Sequence, residues 1–563
     1  MSFHATLIDS RRLTGPNLVW DKPGALLEVE TDSDAVIDHW RTEVEHLRRI
    51  LGLPDMGMAV KRRSQGAWLV VGGPVDQLYG LIEASELAWK RAILQVEGRD
   101  PGEPDLEAVR QELDDERLDA VTALHSEAAE RDVTFLWDDD FVSLGMGTGS
   151  QTWPRSETPS SDNVDWSRFH DIPVAVVTGT NGKSTTVRLL CAMAAAWSKT
   201  AGNTSTDWVR IGSEILDTGD YSGPGGARAA VRDPRVEVAL LETARGGLLR
   251  RGCGLEKADV AAVLNVASDH MGQYGITSVE DLIEAKLIVR KLVADGGTLV
   301  LNADDGGLRK AAARFPEQRT AWFTLGTDLP SNESEGACIR DGMLTLISPS
   351  LAPAPLLAIT DIPITLGGAA AYNVANALAA SLIAHTLGMP HDAIRTGLRA
   401  FESDFETNPG RSNWFDVGGA RVLLDYAHNP HGLHAIIDTV NRLVESSEGP
   451  ARRIMVLSTA GDRTEAEIRE LAAIAAQAHI DEILVADCVG YERELGPMGV
   501  PRILADELAR HGRDGPLFES ELKGVEAALD MARPGDVLIL LVKGERNASL
   551  ERIQEAQERL RQA

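Results

Sequence analysis

Thr178-Gly179-Thr180-Asn181-Gly182-Lys183-Ser184-Thr185 is the stretch on which the reading of the chain turns. It follows a short apolar run, Ile172 to Val177, that reads as a buried strand. It leads into Val187 to Trp197, which is apolar, alanine-rich and of helical length. Strand, glycine loop and helix in that order make a phosphate-binding loop. Its glycines let backbone N–H groups approach phosphate oxygens, Lys183 brings a point charge to the outer phosphates, and Ser184 offers a hydroxyl to a magnesium ion. The ligand this predicts is ATP. The spacing departs from the usual G-x-x-x-x-G-K-[ST], whose first glycine falls here on Val177.

Downstream of the loop, strand and helix patterns alternate as in a doubly wound parallel sheet. Val236 to Leu241 reads as a strand ending in ETARGG, and Val260 to Val266 as another ending in ASDHMG. Val279 to Val293 reads as a helix carrying Lys286, and Thr298 to Asn302 as a further strand. Glu242, Asp269 and His270 stand at strand ends, on the carboxyl edge where open parallel sheets collect functional groups. A β-rich stretch, Ala321 to Ile364, precedes a helix from about Ala370 to Leu387. Strands Arg421 to Tyr426, Ile454 to Ser458, Glu482 to Ala486 and Val537 to Val542 then alternate with helices, as a second, Rossmann-like sheet without GxGxxG.

Upstream, residues 1–150 read as a small α/β or α+β domain. Its strands are Ala25 to Glu30 and Ala67 to Val71, its helices Ala35 to Leu51 and Val75 to Gln95, and Pro104 to Arg131 forms an amphipathic helix or helix pair. The run Trp137 to Asp140, with three consecutive aspartates, reads as a solvated turn, with a cation site as the alternative. From Gly145 to Asp165 the composition shifts to Gly, Ser, Thr, Pro and Asp, which reads as a linker or an ordered loop, and residues 151–170 are assigned to that linker. The expected fold is therefore α/β and multidomain: a P-loop central parallel-sheet domain over 171–409 and a Rossmann-like C-terminal domain over 410–563 follow the N-terminal domain.

The 563 residues are too many for one core, and 43% apolar with 25% charged residues is an ordinary globular composition. The formal charge of −29 argues against a nucleic-acid binder, although Arg245, Arg250 and Arg251 could make one pocket positive. Cys191, Cys253, Cys338 and Cys488 show neither CxxC nor paired-His spacing, so buried thiols are expected. The start, MSFHATLIDSRR, lacks a signal-peptide core and no run is long enough to span a bilayer, which predicts a cytoplasmic protein with no membrane partner.

GTNGKST, ETARGGLLR, NVASDHMGQYG, Lys286, LNADD at Leu301 to Asp305, YNVANALAA, the PGR ending at Arg411, DYAHNP at Asp425 to Pro430 and AGDR at Ala460 to Arg463 follow one another. In that order they resemble the motifs of Mur ligases over residues 171 to 563, and the resemblance is closest to the Mur-like half of cyanophycin synthetases. The N-terminal domain, with RRLTGPNLVW, is more loosely similar to the opening domain of the same enzymes. The ATP-grasp domain they carry in between is replaced by the short linker, so this chain is not expected to make a complete Asp-Arg polymer unaided.

The resemblance implies an ATP-dependent amide ligase: a substrate carboxylate attacks the γ-phosphate to give an acyl phosphate, and an amine displaces phosphate. Gly179, Thr180, Asn181, Gly182, Lys183, Ser184 and Thr185 would hold the phosphates. Asn376, with Asn373 as its competitor, would contact adenine, and Arg411, Asp425 and His428 would reach the nucleotide from the last domain. Ser184, Glu242, His270 and Lys286, the last as a carbamylated lysine, would hold Mg²⁺ or Mn²⁺. Lys183, Glu242, His270 and Lys286 are the expected catalytic set, and Arg463 and Lys543 are weaker substrate-side candidates. Substrates are expected to be an amino acid and a short Asp-containing peptide, and a homo-oligomer is implied by similar enzymes. The loop alone also suits a P-loop phosphotransferase or NTPase, and a nucleotide-binding, non-catalytic partner of a larger ligase is the third alternative. DYAHNP and Lys286 favour the ligase.

Overall fold

The computed structural model describes residues 3–63, 65–331, 334–445 and 451–562. The chain divides into two compact units that do not follow its order. One comprises residues 1–178, 198–263 and 284–299, the other 179–197, 264–283 and 300–563.

In the first unit an antiparallel sheet runs Ala5–Leu13, Gly24–Thr31, Gly66–Gly72, Met58–Arg63. Gly66–Gly72 is buried at every position, as a central strand covered on its faces should be. Helices Asp34–Leu51 and Leu78–Val96 pack together, with Trp40 Nε1 donating to Ser85 Oγ at 3.2 Å in the core. The first strand escapes sequence reading because charged residues interrupt its alternation, yet Arg11 and Arg12 are buried there. The Pro104 to Arg131 segment resolves into two helices, Glu107–Glu116 and Asp119–Glu130. Residues 151–170 are an ordered segment, with the strand Gln151–Pro154 paired to Phe141–Leu144 and three short 3-10 turns.

The strand before the glycine loop, Val174–Thr178, belongs to the same unit. It lies between Val238–Glu242 and Ala258–Val263, parallel to both, and all five of its residues are buried. Ala201–Thr204 extends the parallel sheet, and the antiparallel pair Trp208–Ile211 and Glu214–Thr218 closes that edge.

In the second unit the loop helix runs Lys183–Ala196, beginning four residues earlier than its apolar pattern because the polar residues Lys183 to Thr186 form its first turn. It packs on the helices Ala371–Thr386 and His391–Ala400. Gly397 allows that approach: a Cβ there would lie 2.6 Å from the Met193 backbone. The C-terminal sheet runs Asn413–Val417, Ala420–Asp425, Val537–Leu541, Arg453–Leu457, Glu482–Ala486, Leu517–Phe518. Its strand residues alternate between two cores, Leu423, Met455 and Ile539 on one face and Val422, Ile454 and Leu538 on the other. Among the described residues no helix is long and apolar enough to cross a membrane.

Candidate functional site

The glycine loop is clamped from the end of the neighbouring chain segment at Asn265. Thr180 N donates to Asn265 O at 2.9 Å, Asn181 N to Asn265 Oδ1 at 2.9 Å, and Asn265 Nδ2 to Asn181 O at 3.0 Å. Thr180 Oγ1 and Ala267 exchange two more bonds. These bonds occupy loop backbone on one side, directly before the N-terminus of the helix that follows.

Gly182 caps the loop helix with φ +87°, in the left-handed region that costs any side chain energy. Space forbids a side chain as well, since a Cβ at Gly182 would lie 2.3 Å from Asn376 Oδ1. Asn376 is buried and donates to Asn373 Oδ1 at 3.1 Å, so the two asparagines considered for adenine act as one unit against the loop. Lys183 Nζ donates to Gly179 O and Thr180 O, each at 3.1 Å, which holds the ammonium over the loop. Ser184 and Thr185 are buried in the first turn, and Thr185 Oγ1 accepts from Asn408 Nδ2 at 3.4 Å. Asn408 in turn accepts from Arg188 Nη1 at 2.7 Å.

DYAHNP reaches this loop. Asn181 and Asn429 exchange amide hydrogen bonds in both directions, each 3.0 Å, and Asn181 Nδ2 also lies 3.0 Å from His431 Nδ1. The preceding residue, His428, has Nε2 3.8 Å from Asp269 Oδ2. Asp269 also accepts from Arg463 Nη1 at 2.6 Å, and His270 Nδ1 stands 3.5 Å from Asp462 Oδ2. Asp269, His270 and His428 thus bring three ligand-type atoms within 4.8 Å of one another. His270 adopts φ +52°, a strained conformation for a non-glycine residue.

Charge in the cluster is sorted by its neighbours. Burial works to raise the Asp269 carboxyl, but the His428 hydrogen bond and the charges of His428 and Arg463 outweigh it and hold the group well below the usual range. Burial pushes His270 down to about 4, against the attraction of Asp269, so its imidazole is neutral at pH 7. Burial also lowers His428, with Asp269 opposing. Neutral imidazoles and a carboxylate are donors a divalent cation accepts.

On the outer side of His428, the Tyr426 ring lies 5.2 Å away, with the Arg411 and Arg546 guanidinium groups 5.5 and 5.4 Å from its centroid. Asp425 accepts from Ser412 N and Ala427 N, both at 2.7 Å, and burial raises its carboxyl pKa. It therefore braces the turns carrying Arg411 and His428. Lys543 is buried, its Nζ donating to Ser458 O at 2.5 Å and Ser458 Oγ at 3.1 Å.

Glu242 and Lys286 belong to the other unit. Glu242 ends its strand and is buried, its carbonyl accepting from Thr204 Oγ1 at 3.4 Å. Lys286 is the last residue of the helix Val279–Lys286 and is 5% exposed, so it is not a solvated surface lysine. Sequence reading missed Asn265 and Asn429 as loop partners, although both sit inside motifs it singled out.

The Mur ligase middle domain matches residues 177–384, and the Mur ligase, glutamate ligase domain matches residues 410–546. A UDP-N-acetylmuramoylalanine–D-glutamate ligase of Methylococcus capsulatus is 30% identical over 69% of this chain and 70% of its own length. The chain belongs to the Mur ligase family, with the multidomain α/β fold of that family.

A cyanophycin synthetase of Synechocystis sp. is 40% identical over 56% of this chain and 36% of the relative. The chain spans 36–42% of the length of the cyanophycin synthetases it matches. A solved MurF ligase from Thermotoga maritima in complex with ADP is 20% identical over 69% of this chain and 81% of that chain, with a TM-score of 0.47.

Proposed function

We propose that the protein is an ATP-dependent amide ligase joining an amino acid to a carboxylate of an Asp-containing peptide, with release of ADP and phosphate. The observation that carries this reading is the reciprocal Asn181–Asn429 amide pair, which ties the phosphate loop to the DYAHNP turn beside Asp269, Arg463 and His428. A phosphate site and a polar, partly cationic site are thereby held side by side, as transfer from a nucleotide to a second bound substrate requires.

The loop fits a nucleotide: its amides converge at a helix N-terminus, the place of a Gly182 side chain is already filled, and Lys183 lies across it. A substrate carboxylate meeting the γ-phosphate brings two anions together, so Lys183 would draw charge from the phosphate while Arg463 offsets the acidic side. The amine would then attack the acyl phosphate and expel phosphate. Arg411, Asp425 and His428 would border the nucleotide from the C-terminal motifs, and Asn376 would act at the loop glycine against which it packs.

Mg²⁺ or Mn²⁺ would be held by Ser184, Glu242 and His270, a donor set of hydroxyl, carboxylate and neutral imidazole, and would supply charge neutralisation of the phosphates. Lys286 joins them only as its carbamate, which turns a buried cation into a carboxylate-like ligand. We assign residues 1–150, 151–170, 171–409 and 410–563 to N-terminal domain, linker, nucleotide domain and C-terminal domain. A cytoplasmic homo-oligomer completes the reading.

ADP release should require a carboxylate and an amine together, with a coupled product of the summed mass less water. Lys183→Ala should abolish product while leaving the melting temperature in place. Turnover with one substrate alone would identify a phosphotransferase or NTPase instead. ATP binding without consumption across amino acids and short peptides would identify a non-catalytic partner.

A further inference from the structure

Asn181, in the middle of the glycine loop, has all its polar groups engaged. Its N donates to Asn265 Oδ1, its O accepts from Asn265 Nδ2, and its Oδ1 accepts from Asn429 Nδ2 at 3.0 Å. The side-chain amide nitrogen carries two hydrogens. One goes to Asn429 Oδ1 at 3.0 Å, and His431 Nδ1, also at 3.0 Å, is placed to take the other.

The direction of that last bond follows from the residues around it. Asn429 caps the helix Pro430–Glu445: its Oδ1 accepts from Gly432 N at 2.8 Å and its carbonyl from Leu433 N at 3.0 Å. A backbone N–H only donates, so the Asn429 atom it meets is the oxygen, and the Asn181 atom facing that oxygen is the nitrogen. An amide nitrogen donates and does not accept, which makes His431 Nδ1 the acceptor. The ring is then neutral with its hydrogen on Nε2, because a proton on Nδ1 would set donor against donor. Two charged or titratable groups bear on it, Asp305 at the start of the helix Gly306–Ala312 and His434 on its own helix. Burial lowers the imidazole below its ordinary value, with Asp305 opposing and His434 adding to the lowering.

We propose that His431 is a positioning residue of the phosphate loop, which accepts the second Asn181 amide hydrogen on Nδ1 and so fixes the backbone of residues 180–182 for the nucleotide. The role rests on the nucleotide reading of the loop and reverses what a histidine beside phosphates first suggests, a cation that pairs with them. The two roles have opposite requirements: a cation works protonated, an acceptor works neutral. Without the acceptor, one Asn181 hydrogen loses its protein partner, and a nucleotide must order a loosened loop as it binds.

The test is ATP binding to the full chain, by titration calorimetry without other substrates at about pH 8, where free imidazoles are neutral. Asparagine sets its Oδ1 close to where histidine has Nδ1, so His431→Asn should keep wild-type affinity. His431→Ala should weaken ATP about fivefold, the loss of one neutral hydrogen bond. His431→Lys, which brings charge but no acceptor, should bind as weakly as the alanine variant. In an Asn181→Ala background His431→Ala should cost nothing further, since its effect runs through Asn181. His431 is exposed near the start of its helix, so the melting temperatures of its single variants should stay with wild type.

Tighter ATP binding by His431→Lys than by His431→Asn would make the residue a phosphate-pairing cation and overturn the proposal. So would equal binding by wild type and His431→Ala, a fall of His431→Asn to the alanine level, or a further loss on adding His431→Ala to Asn181→Ala. Each of these leaves wild-type ATP binding, and with it the nucleotide reading, intact. Failure of the wild type to bind ATP would sink that reading and this role together.

Discussion

Asp269 shows how a single residue takes its meaning from partners far along the chain. At a strand end, in the SDH motif, it could ligate a metal, accept a proton or pair with a base. Its 2.6 Å contact with Arg463 and its closeness to His428 settle the matter: it is an ionised carboxylate that organises the cluster. Its folded pKa is depressed, so between that value and the ordinary aspartate value of 3.8 the unfolded chain binds more protons than the folded one. The stability it contributes is therefore complete above pH 3.8 and is lost as pH falls through the folded pKa.

Arg463→Ala, which strands that carboxylate, should destabilise the protein by about 3 kcal/mol at pH 7. The difference from wild type should shrink below pH 4, in urea unfolding followed by circular dichroism. A pH-independent difference would mean that Arg463 acts by packing alone.

At the scale of elements, the glycine loop was legible because its requirements are local. Gly182 must be glycine for backbone and space together, and Lys183 opens the helix that the alanine-rich run continues. The end of that helix was read to within one residue, its start four residues late, because threonine, serine and lysine in the first turn carry no apolar period. The strand Ala5–Leu13 was missed for a related reason, its buried arginines mimicking a surface pattern.

A second loop is held by a device no pattern announces. Glu521, fully buried at the start of the helix Glu521–Met531, accepts from Lys543 N at 2.9 Å, Gly544 N at 2.8 Å and Glu545 N at 3.1 Å, and from Ser458 Oγ. It shapes the turn that presents Lys543 and leads into the helix carrying Arg546. Glu521→Gln keeps the size but exchanges an acceptor for a donor facing those amides. It should cost about 2–3 kcal/mol and, on the ligase proposal with Lys543 as a substrate-side residue, raise KM more than it lowers kcat. An unchanged midpoint in urea would show that the three amides find other acceptors.

For the whole molecule, charge is the property that sequence states outright. A net −29 repels itself when the chain compacts, so the melting temperature should rise as salt goes from about 10 to 150 mM, where the screening length falls below about 10 Å. A melting temperature that falls with salt would instead show that its many ion pairs dominate.

The sequence by itself determined the glycine loop, the order of the motifs around it, the alternation of strand and helix, and the positions of Glu242, His270, His428 and Asp425 at strand ends or in the turns that follow. Period, glycine conformation and capping act within a few residues and leave a trace there. Only the tertiary structure decided that Asn265 and Asn429 clamp the loop, that Lys286 is buried, and that Asp138 and Asp139 pair with Arg232 and Arg12. Asn181 meets Asn429 across 248 residues and Asp269 meets Arg463 across 194. Pairings at that range carry no local period, since hydrogen bonds and charges are satisfied by whatever the packed sheets bring within 3 Å.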